Sequence, residues 1–442
     1  MNTPPTPWPA PHATRPLAAR VPVPGSKSLT NRAVLLAALA DGPGLVTGVP
    51  DSRDTQLMTT GLAALGTRID DLGGGTRRIT PPERPTPAPD GIDCGLAGTV
   101  MRFLPPVAAL APGTTRFTGD PRASQRPLRP LLDALEQLGV RIASATGSVP
   151  FTLEAPAGLG GPQASIDAST SSQFVSGLLL AAARFPHGLD LRHTGGTVPS
   201  APHIEMTLQA LRDRGVDAAW PEPTRWIVRP GTLRAHDEAI EPDLTNAAAF
   251  LVAGVLSRGW TEVPGWPKVT TQPGDAIRGV LRAFGARAGF VDDPGQGTGQ
   301  GVVRASWAGG LRGIDLDLHD ASELTPVVAG LAAFAEGVTT IRGVGHIRGH
   351  ETDRIAAITA TLQAVGVSAE PTADGLVVHG AGAGAGVHGA HLKTYADHRM
   401  AHLGALLGLV VPGVTLDDVG ATAKTMPDFA ERWAAMLAGE PR

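Results

Sequence analysis

The chain has 442 residues, of which 42% are hydrophobic and 18% charged, as expected for a globular protein of two or three domains. Its formal net charge of −4 gives no indication of nucleic-acid binding, and no apolar run approaches the ~20 residues of a membrane span. The single cysteine, Cys94, excludes a disulfide framework. The proline-rich residues 1–24 lack the apolar segment of a signal peptide, so we expect a cytoplasmic protein.

Apolar segments with the 3.6-residue period of a helix recur along the chain. Most of them stop at a glycine, which is the usual C-terminal signal. Short β-patterned runs separate them, and a further strand is predicted within Leu17–Val23. The predicted helices begin near Lys27, Asp54, Gly98, Leu128, Ser171, Pro202, Leu244, Asp275, Glu323, Thr352, His398 and Phe429.

Taken in pairs, these helices form six units whose first helices begin about 75 residues apart, which indicates an internal repeat. Each unit is interpreted as strand–helix–strand–helix–strand–strand. Three units fit within residues 25–240 and three within 241–442. The repeat therefore predicts an α/β protein of two similar lobes.

The first helix begins in a stretch rich in donors, Pro24-Gly-Ser-Lys-Ser-Leu-Thr-Asn-Arg32. A helix N-terminus carries unpaired N–H groups and a partial positive charge, and it can bind an anion. Lysine is rare in this chain, occurring only at Lys27, Lys268, Lys393 and Lys424, so a lysine inside such a motif stands out. The alternative for this stretch taken by itself is a capped surface helix.

Small residues, donors and charges also open the first helix of every other unit. The segments are Gly95–Arg102, Ser169–Gln173, Glu241–Asn246, His319–Glu323 and Tyr395–Met400. If these helix starts converge, they form an anion-binding basin suited to a substrate with more than one phosphate or carboxylate. The alternative for any one of them is an ordinary N-cap, and for any one arginine a solvated surface position.

Two histidines, His346 and His350, have the i,i+4 spacing of a metal site beside Glu351. Gly345 and Gly349 interrupt a helix there, and no third ligand cluster is evident. We therefore predict no metal. Cys94 is interpreted as a buried small hydrophobe.

Seven motifs in order resemble 5-enolpyruvylshikimate-3-phosphate synthase. They are Gly25–Arg32, Ala97–Thr99, Gly119–Leu128, Ser171–Phe174, Glu351–Arg354, Asp397–Met400 and Thr422–Thr425. The resemblance covers the chain from Val21 onward. It implies two lobes, each of three βαβαββ units in an inside-out barrel, with the active site in the cleft between them. The family pattern assigns residues 1–24 and 241–442 to lobe one and residues 25–240 to lobe two.

The resemblance also implies an activity: transfer of the enolpyruvyl group of phosphoenolpyruvate to the 5-hydroxyl of shikimate 3-phosphate, with release of phosphate. The reaction passes through a tetrahedral ketal and belongs to the shikimate pathway to chorismate and the aromatic amino acids. No cofactor is implied. A monomer is expected, and the retained Gly98 predicts sensitivity to glyphosate, a phosphoenolpyruvate-competitive inhibitor of the family.

Site residues follow from the resemblance by position. The residues implied to bind phosphoenolpyruvate are Lys27, Gly98, Arg126, Gln173, Arg354, Arg399 and Lys424. Those implied to bind shikimate 3-phosphate are Lys27, Ser28, Arg32, Ser171, Ser172, Gln173, Ser200, Glu323 and His350. The catalytic residues are Lys27, Glu323 as base on the attacking hydroxyl, and Glu351 as proton donor to C3.

The chain departs from the family pattern at several positions. Glu323 stands where aspartate is commoner, and His346 and His350 stand where asparagine and lysine are common. Leu96, Phe103 and His203 replace asparagine, proline and tyrosine. None of these changes removes one of the cations named above, although a neutral His350 cannot supply the charge of a lysine.

Three alternatives remain at this point. The sister enzyme that acts on UDP-N-acetylglucosamine has Lys-Asn in place of Lys27-Ser28 and uses a mobile-loop cysteine. A nucleotide-binding P-loop requires glycine where this chain has Pro22. A non-catalytic binding module would be favoured by loss of Glu323 and Glu351, and both are present.

Overall fold

The computed structural model describes residues 7–382 and 386–439. Residues 1–6, 383–385 and 440–442, which the sequence assigns to lobe one, lie outside the described residues. The chain divides into two compact units. The central unit is Gly25–Ile240, and the terminal unit combines the segment ending at Pro24 with the segment that starts at Glu241.

In the described part of the chain, an α-helix is found at or within a few residues of each of the twelve predicted starts. The helices are α1 Lys27–Ala38, α2 Arg53–Ala64, α3 Gly98–Ala108, α4 Arg129–Gln137, α5 Gln173–Ala182, α6 Pro202–Asp213, α7 Leu244–Leu256, α8 Ile277–Ala283, α9 Thr325–Ala332, α10 Arg354–Ala364, α11 His398–Val410 and α12 Phe429–Ala438.

Short strands separate the helices. The strands up to the end of the central unit are β1 Trp8–Pro9, β2 Ala18–Arg20, β3 Gly44–Thr47, β4 Arg68–Gly73, β5 Thr76–Thr80, β6 Ile92–Asp93, β7 Gly113–Thr118, β8 Arg141–Ser144, β9 Phe151–Ala155, β10 Gln163–Ile166, β11 Leu189–His193, β12 Ala218–Glu222, β13 Arg225–Val228 and β14 Glu238–Ala239. The remainder are β15 Trp260–Pro267, β16 Arg287–Val291, β17 Gln300–Ser306, β18 Asp315–Asp317, β19 Glu336–Arg342, β20 Ser368–Pro371, β21 Leu376–Ala381, β22 His391–Leu392 and β23 Thr415–Leu416.

The central unit contains three four-stranded sheets built on one plan, with strand orders β14-β3-β5-β4, β6-β7-β9-β8 and β10-β11-β13-β12. The first two strands of each sheet run parallel, and the last pair is an antiparallel hairpin. A parallel pair needs a crossover, and α3 and α5 provide it in the second and third sheets. The first sheet takes its parallel edge strand, β14, from the far end of the unit.

The terminal unit repeats the plan with two sheets, β2-β15-β17-β16 and β18-β19-β21-β20, and a three-stranded sheet, β1-β23-β22. The N-terminal segment supplies strands to two of these sheets. β2 pairs parallel with β15, and β1 pairs antiparallel with β23. The strand predicted within Leu17–Val23 is therefore confirmed over its central residues.

The first helices of the repeats are apolar on nearly every face and lie in the cores. In α7 every residue except Thr245 is buried, and in α11 every residue except Val410. A helix that is hydrophobic all round must be enclosed by other elements, here by the sheets and by the other inner helices. This burial holds the helix starts, and the polar residues on them, in fixed positions.

Several predicted helix starts need correction by two or more residues. α5 begins at Gln173, so Ser171 and Ser172 lie just before it. A 3-10 turn, His319–Leu324, precedes α9 and carries Glu323. α10 begins at Arg354 behind its N-cap Asp353, which leaves Glu351 outside the helix. Capping side chains and 3-10 turns set these boundaries, and the apolar period does not report them.

No helix in the described residues is long and apolar enough to cross a membrane.

Candidate active site

The start of α1 is fixed by close backbone packing at Gly25. A Cβ atom at this position would lie 2.0 Å from the carbonyl oxygen of Gly48 and 3.0 Å from Cγ2 of Ile240, so only glycine fits. Ser26 is the N-cap, and its hydroxyl accepts from the backbone N–H of Leu29. The local sequence therefore delivers Lys27 to the first position of the helix.

Lys27 pairs with a carboxylate of the next helix. Its Nζ lies 3.2 Å from Oδ2 of Asp54, which is buried in the first turn of α2. The lysine side chain remains 17% exposed, whereas that of Asp54 is 2% exposed. Ser28 follows it on α1, partly buried.

Arg32 points into the central unit. Its Nε donates to Thr207 Oγ1 at 2.8 Å, Nη1 donates to the Ser28 carbonyl at 2.9 Å, and Nη2 donates to the His203 carbonyl at 3.0 Å. Among the described residues no carboxylate pairs with it, and burial lowers the pKa of Arg32 to about 9. A buried cation without a carboxylate favours a nearby anion.

Gly98 opens α3 between two guanidinium groups. A Cβ atom here would lie 2.7 Å from Nη1 of Arg102 and 2.9 Å from Nη2 of Arg126. Both arginines are buried, and Arg126 Nη1 donates to the Leu96 carbonyl at 3.0 Å. The helix N-terminus and two cations thus meet at a residue without a side chain, an arrangement that suits a phosphate or carboxylate.

The side chain of Gln173, at the start of α5, belongs to the same group. Its Oε1 accepts from Arg102 Nη1 at 2.9 Å, which directs the amide nitrogen away from Arg102. Ser171 Oγ accepts from the backbone N–H of Gln173, and Ser172 is the buried N-cap residue. The structure places Gly98, Arg126 and Gln173 around Arg102, and their predicted contact with a ligand stays a prediction.

Arg102 was not among the predicted site residues, although it is the residue that links them. It contacts Gln173, the Pro127 carbonyl and the ring of Phe174, whose centroid lies 5.3 Å from its Cζ. Its position one turn after Gly98 on the same helix is the signal that would have found it.

Ser200 lies before α6 with a left-handed backbone, at φ +51°. A non-glycine residue with this conformation carries strain, and such residues cluster at functional sites. The residue is buried, and the adjoining residues Ala201, Pro202 and His203 are half-buried. This conformation is consistent with the predicted ligand contact of Ser200, which stays a prediction.

In the terminal unit, Arg354 is the centre of a buried ionic cluster. Its Nε donates to Asp397 at 2.8 Å, Nη1 to Glu323 at 2.9 Å and to His350 Nδ1 at 2.9 Å, and Nη2 to Glu351 at 2.9 Å and to Asp397 at 3.2 Å. These contacts use all five N–H donors of the guanidinium. The side chain is 1% exposed.

Lys424 pairs with the other oxygen of Glu351. Its Nζ contacts Oε1, whereas Arg354 contacts Oε2, so the carboxylate bridges two cations. Lys424 ends the 3-10 turn Val419–Lys424, and both side chains are about nine-tenths buried.

Arg399, in the first turn of α11, completes the cluster. Nη1 donates to Asn246 Oδ1 at 3.0 Å, and Nε lies 3.6 Å from Oε2 of Glu323. Asp397, the N-cap of α11, is fully buried and accepts from the backbone N–H of Arg399. Three cations and three carboxylates therefore balance in this cluster.

The cations around Glu323 keep its side chain ionised. Burial by itself raises the pKa of Glu323, but Arg354, His350 and Arg399 outweigh it and hold the pKa well below its usual value. Burial lowers the pKa of Arg354, and Asp397, together with the two glutamates, raises it well above the usual value. Glu323 is thus held as an ionised carboxylate.

Three histidines form a row beside Glu323. The ring centroids of His319 and His346 are 6.3 Å apart, and those of His346 and His350 are 5.9 Å apart. His346 Nε2 lies 2.8 Å from Ser322 Oγ, and burial lowers the pKa of His346 to about 4. No cluster of three or more potential metal ligands is found among the described residues.

Of the fifteen predicted site residues, nine lie in the central unit and six in the terminal unit. The six, Glu323, His350, Glu351, Arg354, Arg399 and Lys424, form one connected cluster. The arrangement combines cations for phosphate or carboxylate with carboxylates for proton transfer.

Comparisons with known proteins agree with this chemistry. Residues 11–433 match the family model of EPSP synthase (3-phosphoshikimate 1-carboxyvinyltransferase). The chain is similar to the protein named 3-phosphoshikimate 1-carboxyvinyltransferase of Mycobacterium ulcerans (strain Agy99), with 47% identity over 98% of each chain. It is 48% identical to the protein of the same name of Kocuria rhizophila, over 98% of this chain and 97% of that one.

Solved structures share the fold. EPSP synthase from Acinetobacter baumannii superposes with a TM-score of 0.78 at 23% identity, over 98% of both chains. The enolpyruvyl transferase NikO from Streptomyces tendae gives 0.73 at 22% identity, over 96% of both. The predicted two-lobe α/β fold is thereby confirmed. With the family model spanning nearly the whole chain and both curated relatives close to half identical, this chain belongs to the EPSP synthase family.

Proposed function

We propose that this chain transfers the enolpyruvyl group of phosphoenolpyruvate to the 5-hydroxyl of shikimate 3-phosphate and releases phosphate. The observation that carries the proposal is the near full-length match to the family, together with a buried cluster that joins three cations to two candidate acid–base carboxylates. The product is an intermediate on the route to chorismate and the aromatic amino acids.

Phosphoenolpyruvate carries a phosphate and a carboxylate, so its site needs several cations and helix-start donors. In the central unit, Gly98, Arg126 and Gln173 supply a helix N-terminus, a guanidinium and an oriented amide. The full set proposed to bind it is Lys27, Gly98, Arg126, Gln173, Arg354, Arg399 and Lys424.

Shikimate 3-phosphate needs an anion pocket and partners for its hydroxyl groups. The residues proposed for it are Lys27, Ser28, Arg32, Ser171, Ser172, Gln173, Ser200, Glu323 and His350. Arg32 contributes here through its positive charge, because four of its hydrogen bonds already go to protein groups.

The proposed chemistry uses Lys27, Glu323 and Glu351. Glu323, held ionised by its neighbours, removes the proton from the attacking hydroxyl. Glu351 supplies the proton to the methylene carbon C3, and it takes a proton back from the resulting methyl carbon as phosphate leaves the tetrahedral ketal, which returns the double bond. Lys27 neutralises the phosphate that leaves.

Phosphate release tests the proposal. The protein is mixed with phosphoenolpyruvate and shikimate 3-phosphate, and the phosphate released is compared with that in a control without shikimate 3-phosphate. We expect release only with both substrates. Release that requires UDP-N-acetylglucosamine instead would assign the chain to the sister activity, and no release with either acceptor would refute both.

Glyphosate is proposed as an inhibitor, since Gly98 leaves the space between Arg102 and Arg126 free of a side chain. Inhibition that phosphoenolpyruvate relieves competitively is expected, and turnover unaffected by millimolar glyphosate at low phosphoenolpyruvate contradicts this.

A cytoplasmic monomer is also proposed. One chain supplies every residue assigned to the site, and Cys94 is a free, buried thiol suited to a reducing compartment. Sedimentation of the purified protein and fractionation of cells test the two statements.

A further inference from the structure

His193 is the last residue of β11, and its side chain is buried. β10 and β11 run parallel, and His193 pairs with Ile166, the last residue of β10. Residues 167–173 continue from β10 and residues 194–200 continue from β11, so the two segments leave the sheet at the same edge. Together these segments carry four of the residues proposed to bind shikimate 3-phosphate, which are Ser171, Ser172, Gln173 and Ser200.

The imidazole of His193 joins the two segments. The backbone N–H of Ala168 donates to Nδ1 at 3.1 Å, and Nε2 contacts the carbonyl oxygen of Gly196. A backbone N–H can only donate, so Nδ1 is the acceptor and Nε2 carries the hydrogen that is donated to Gly196. Nδ1 also lies 3.2 Å from the carbonyl oxygen of Ile166, a contact that this tautomer leaves without a hydrogen bond. The neutral ring therefore makes one hydrogen bond to each segment.

Asp167 and Ser169 form a second link beside the first. Asp167 Oδ1 accepts from the hydroxyl of Ser169 at 2.6 Å and from its backbone N–H at 2.9 Å. With its hydrogen donated to Asp167, the Ser169 oxygen accepts from the N–H of Gly196 at 2.7 Å. The segments are packed so closely that a Cβ atom at Gly195 would lie 2.0 Å from Oδ1 of Asp167. Gly196 is thus held at its N–H by Ser169 and at its carbonyl by His193.

The link extends along the backbone to the predicted ligands. The carbonyl of Ala168, whose N–H is held by His193, accepts from the N–H of Ser171 at 3.1 Å. The Ser171 hydroxyl in turn accepts from the N–H of Gln173 at 3.3 Å. A shift of Ala168 therefore moves Ser171 and the start of α5 with it.

We propose that His193 is a positioning residue for shikimate 3-phosphate: by joining Ala168 to Gly196, it holds the two segments in one arrangement before the substrate binds. His193 acts through the residues of these segments and does not itself contact the substrate. This inference rests on the proposed function. Partners that are already ordered lose less conformational freedom on binding, so the contribution of His193 is to substrate affinity.

Replacement of His193 by phenylalanine keeps a buried ring and removes both hydrogen bonds. We expect the Kd of shikimate 3-phosphate, measured by titration calorimetry without phosphoenolpyruvate, to rise roughly tenfold. KM for shikimate 3-phosphate should rise similarly, whereas kcat should change by less than about threefold, because the lost interaction serves the bound substrate and the transition state alike. His187→Phe, at an exposed position just before β11, is the matched control and should leave the Kd unchanged.

Two amide variants distinguish positioning from a general contribution to stability. In His193→Asn the side-chain oxygen takes the place of Nδ1 and can accept from Ala168, whereas His193→Gln reaches toward Gly196 and leaves Ala168 without this acceptor. Three of the four predicted ligands lie on the Ala168 side. We therefore expect the asparagine variant to bind shikimate 3-phosphate within about threefold of wild type and the glutamine variant to bind roughly tenfold more weakly. This comparison tests the inference even if His193→Phe fails to fold.

A double-mutant cycle identifies the residues through which His193 acts. Ser171→Ala should weaken binding of shikimate 3-phosphate roughly fivefold in the wild-type background. In the His193→Gln background it should have little further effect, because Ser171 is then already displaced. Ser28→Ala, on α1 and outside both segments, should weaken binding equally in the two backgrounds.

Three results would overturn the inference while turnover by the wild type leaves the proposed function intact. They are an unchanged Kd or a loss confined to kcat in His193→Gln, equal affinities of the asparagine and glutamine variants, and additive effects of Ser171→Ala and His193→Gln. A wild type that neither binds nor turns over shikimate 3-phosphate would overturn both.

Discussion

Lys27 at the first position of α1 is tied to Asp54 in the first turn of α2, with Nζ 3.2 Å from Oδ2. Asp54 is buried, whereas the Lys27 side chain keeps 17% of its surface exposed. The carboxylate therefore fixes the direction of the ammonium at the start of α1. The ion pair with Asp54 therefore holds the charge of Lys27 in one position at the start of α1.

Replacing Lys27 by alanine should abolish turnover. The change removes the charge at the helix start while leaving the Ser26 cap, so the fold should persist. We expect kcat to fall by roughly 10³-fold, as for loss of a group that stabilises the transition state. Lys393→Ala, at an exposed lysine of the terminal unit, is the control and should retain activity. Full activity of the Lys27 variant would remove this residue from the mechanism.

Asp54→Asn should weaken catalysis less than loss of Lys27 itself. The amide keeps the shape but loses the attraction that orients the ammonium, and we expect kcat/KM to fall roughly tenfold. In the Lys27→Ala background the same change should have little further effect, because the two residues act as a pair. Asp51→Asn, at an exposed carboxylate just before α2, is the matched control. Equal effects of Asp54→Asn in both backgrounds contradict the pairing.

Gly98→Ala should impair binding of phosphoenolpyruvate more than that of shikimate 3-phosphate. The added Cβ would lie within 3.0 Å of nitrogens of Arg102 and Arg126, so both guanidiniums must shift. We expect KM for phosphoenolpyruvate to rise roughly tenfold and glyphosate inhibition to weaken. Gly279→Ala in α8 meets nothing within 4 Å and should leave both KM values unchanged. An unchanged KM in the Gly98 variant would show that the two arginines tolerate the methyl group.

Arg102→Met should act through Gln173. Methionine fills much of the same buried space but removes the hydrogen bond that orients the glutamine amide. Loss of one charge-assisted bond predicts a rise in KM for phosphoenolpyruvate of roughly tenfold. Arg282→Met, on an exposed face of α8, provides the comparison. If KM stays constant while only the unfolding midpoint falls, the role of Arg102 is structural.

Stability should fall as the pH drops below about 6.5. Burial lowers the pKa of His346 to about 4 and holds the pKa values of His398 and His402 well below the usual value. The unfolded chain therefore binds more protons than the folded chain in this range. The free energy of unfolding therefore decreases between pH 6.5 and pH 4, by about 1.4 kcal/mol per pH unit for each such histidine. Denaturant unfolding at several pH values measures the slope.

His402→Met separates one histidine from the rest. Neither ring nitrogen of His402 has a hydrogen-bond partner among the described residues, and the ring packs against Phe429. Methionine should therefore fit without the loss of a hydrogen bond. The free energy of unfolding should then depend less steeply on pH, by the contribution of one histidine. His388→Gln, at an exposed position, should leave the slope unchanged. A steeper slope in the His402 variant would contradict the assignment.

Much of the fold could be predicted because its signals are local. An apolar period, a capping serine such as Ser26 and a glycine stop occupy contiguous residues, so they report a helix without knowledge of its neighbours. The same holds for the motifs at the helix starts, where Lys27, Gly98 and Asp397 carry their chemistry within one turn. Boundaries that depend on 3-10 turns, such as the one carrying Glu323, were misplaced by a few residues.

The sequence by itself determined the helices, the sixfold repeat and the residue types at the helix starts. Only the tertiary structure decided the partners of those residues. Arg32 and Thr207 are 175 positions apart, and Lys424 and Glu351 are 73 apart. Their pairing follows from how buried helices and sheets pack, and no local pattern encodes it. For the same reason the contact of Arg102 with Gln173 depends on the packing of α3 against α5, although the position of Arg102 one turn after Gly98 is visible in the sequence.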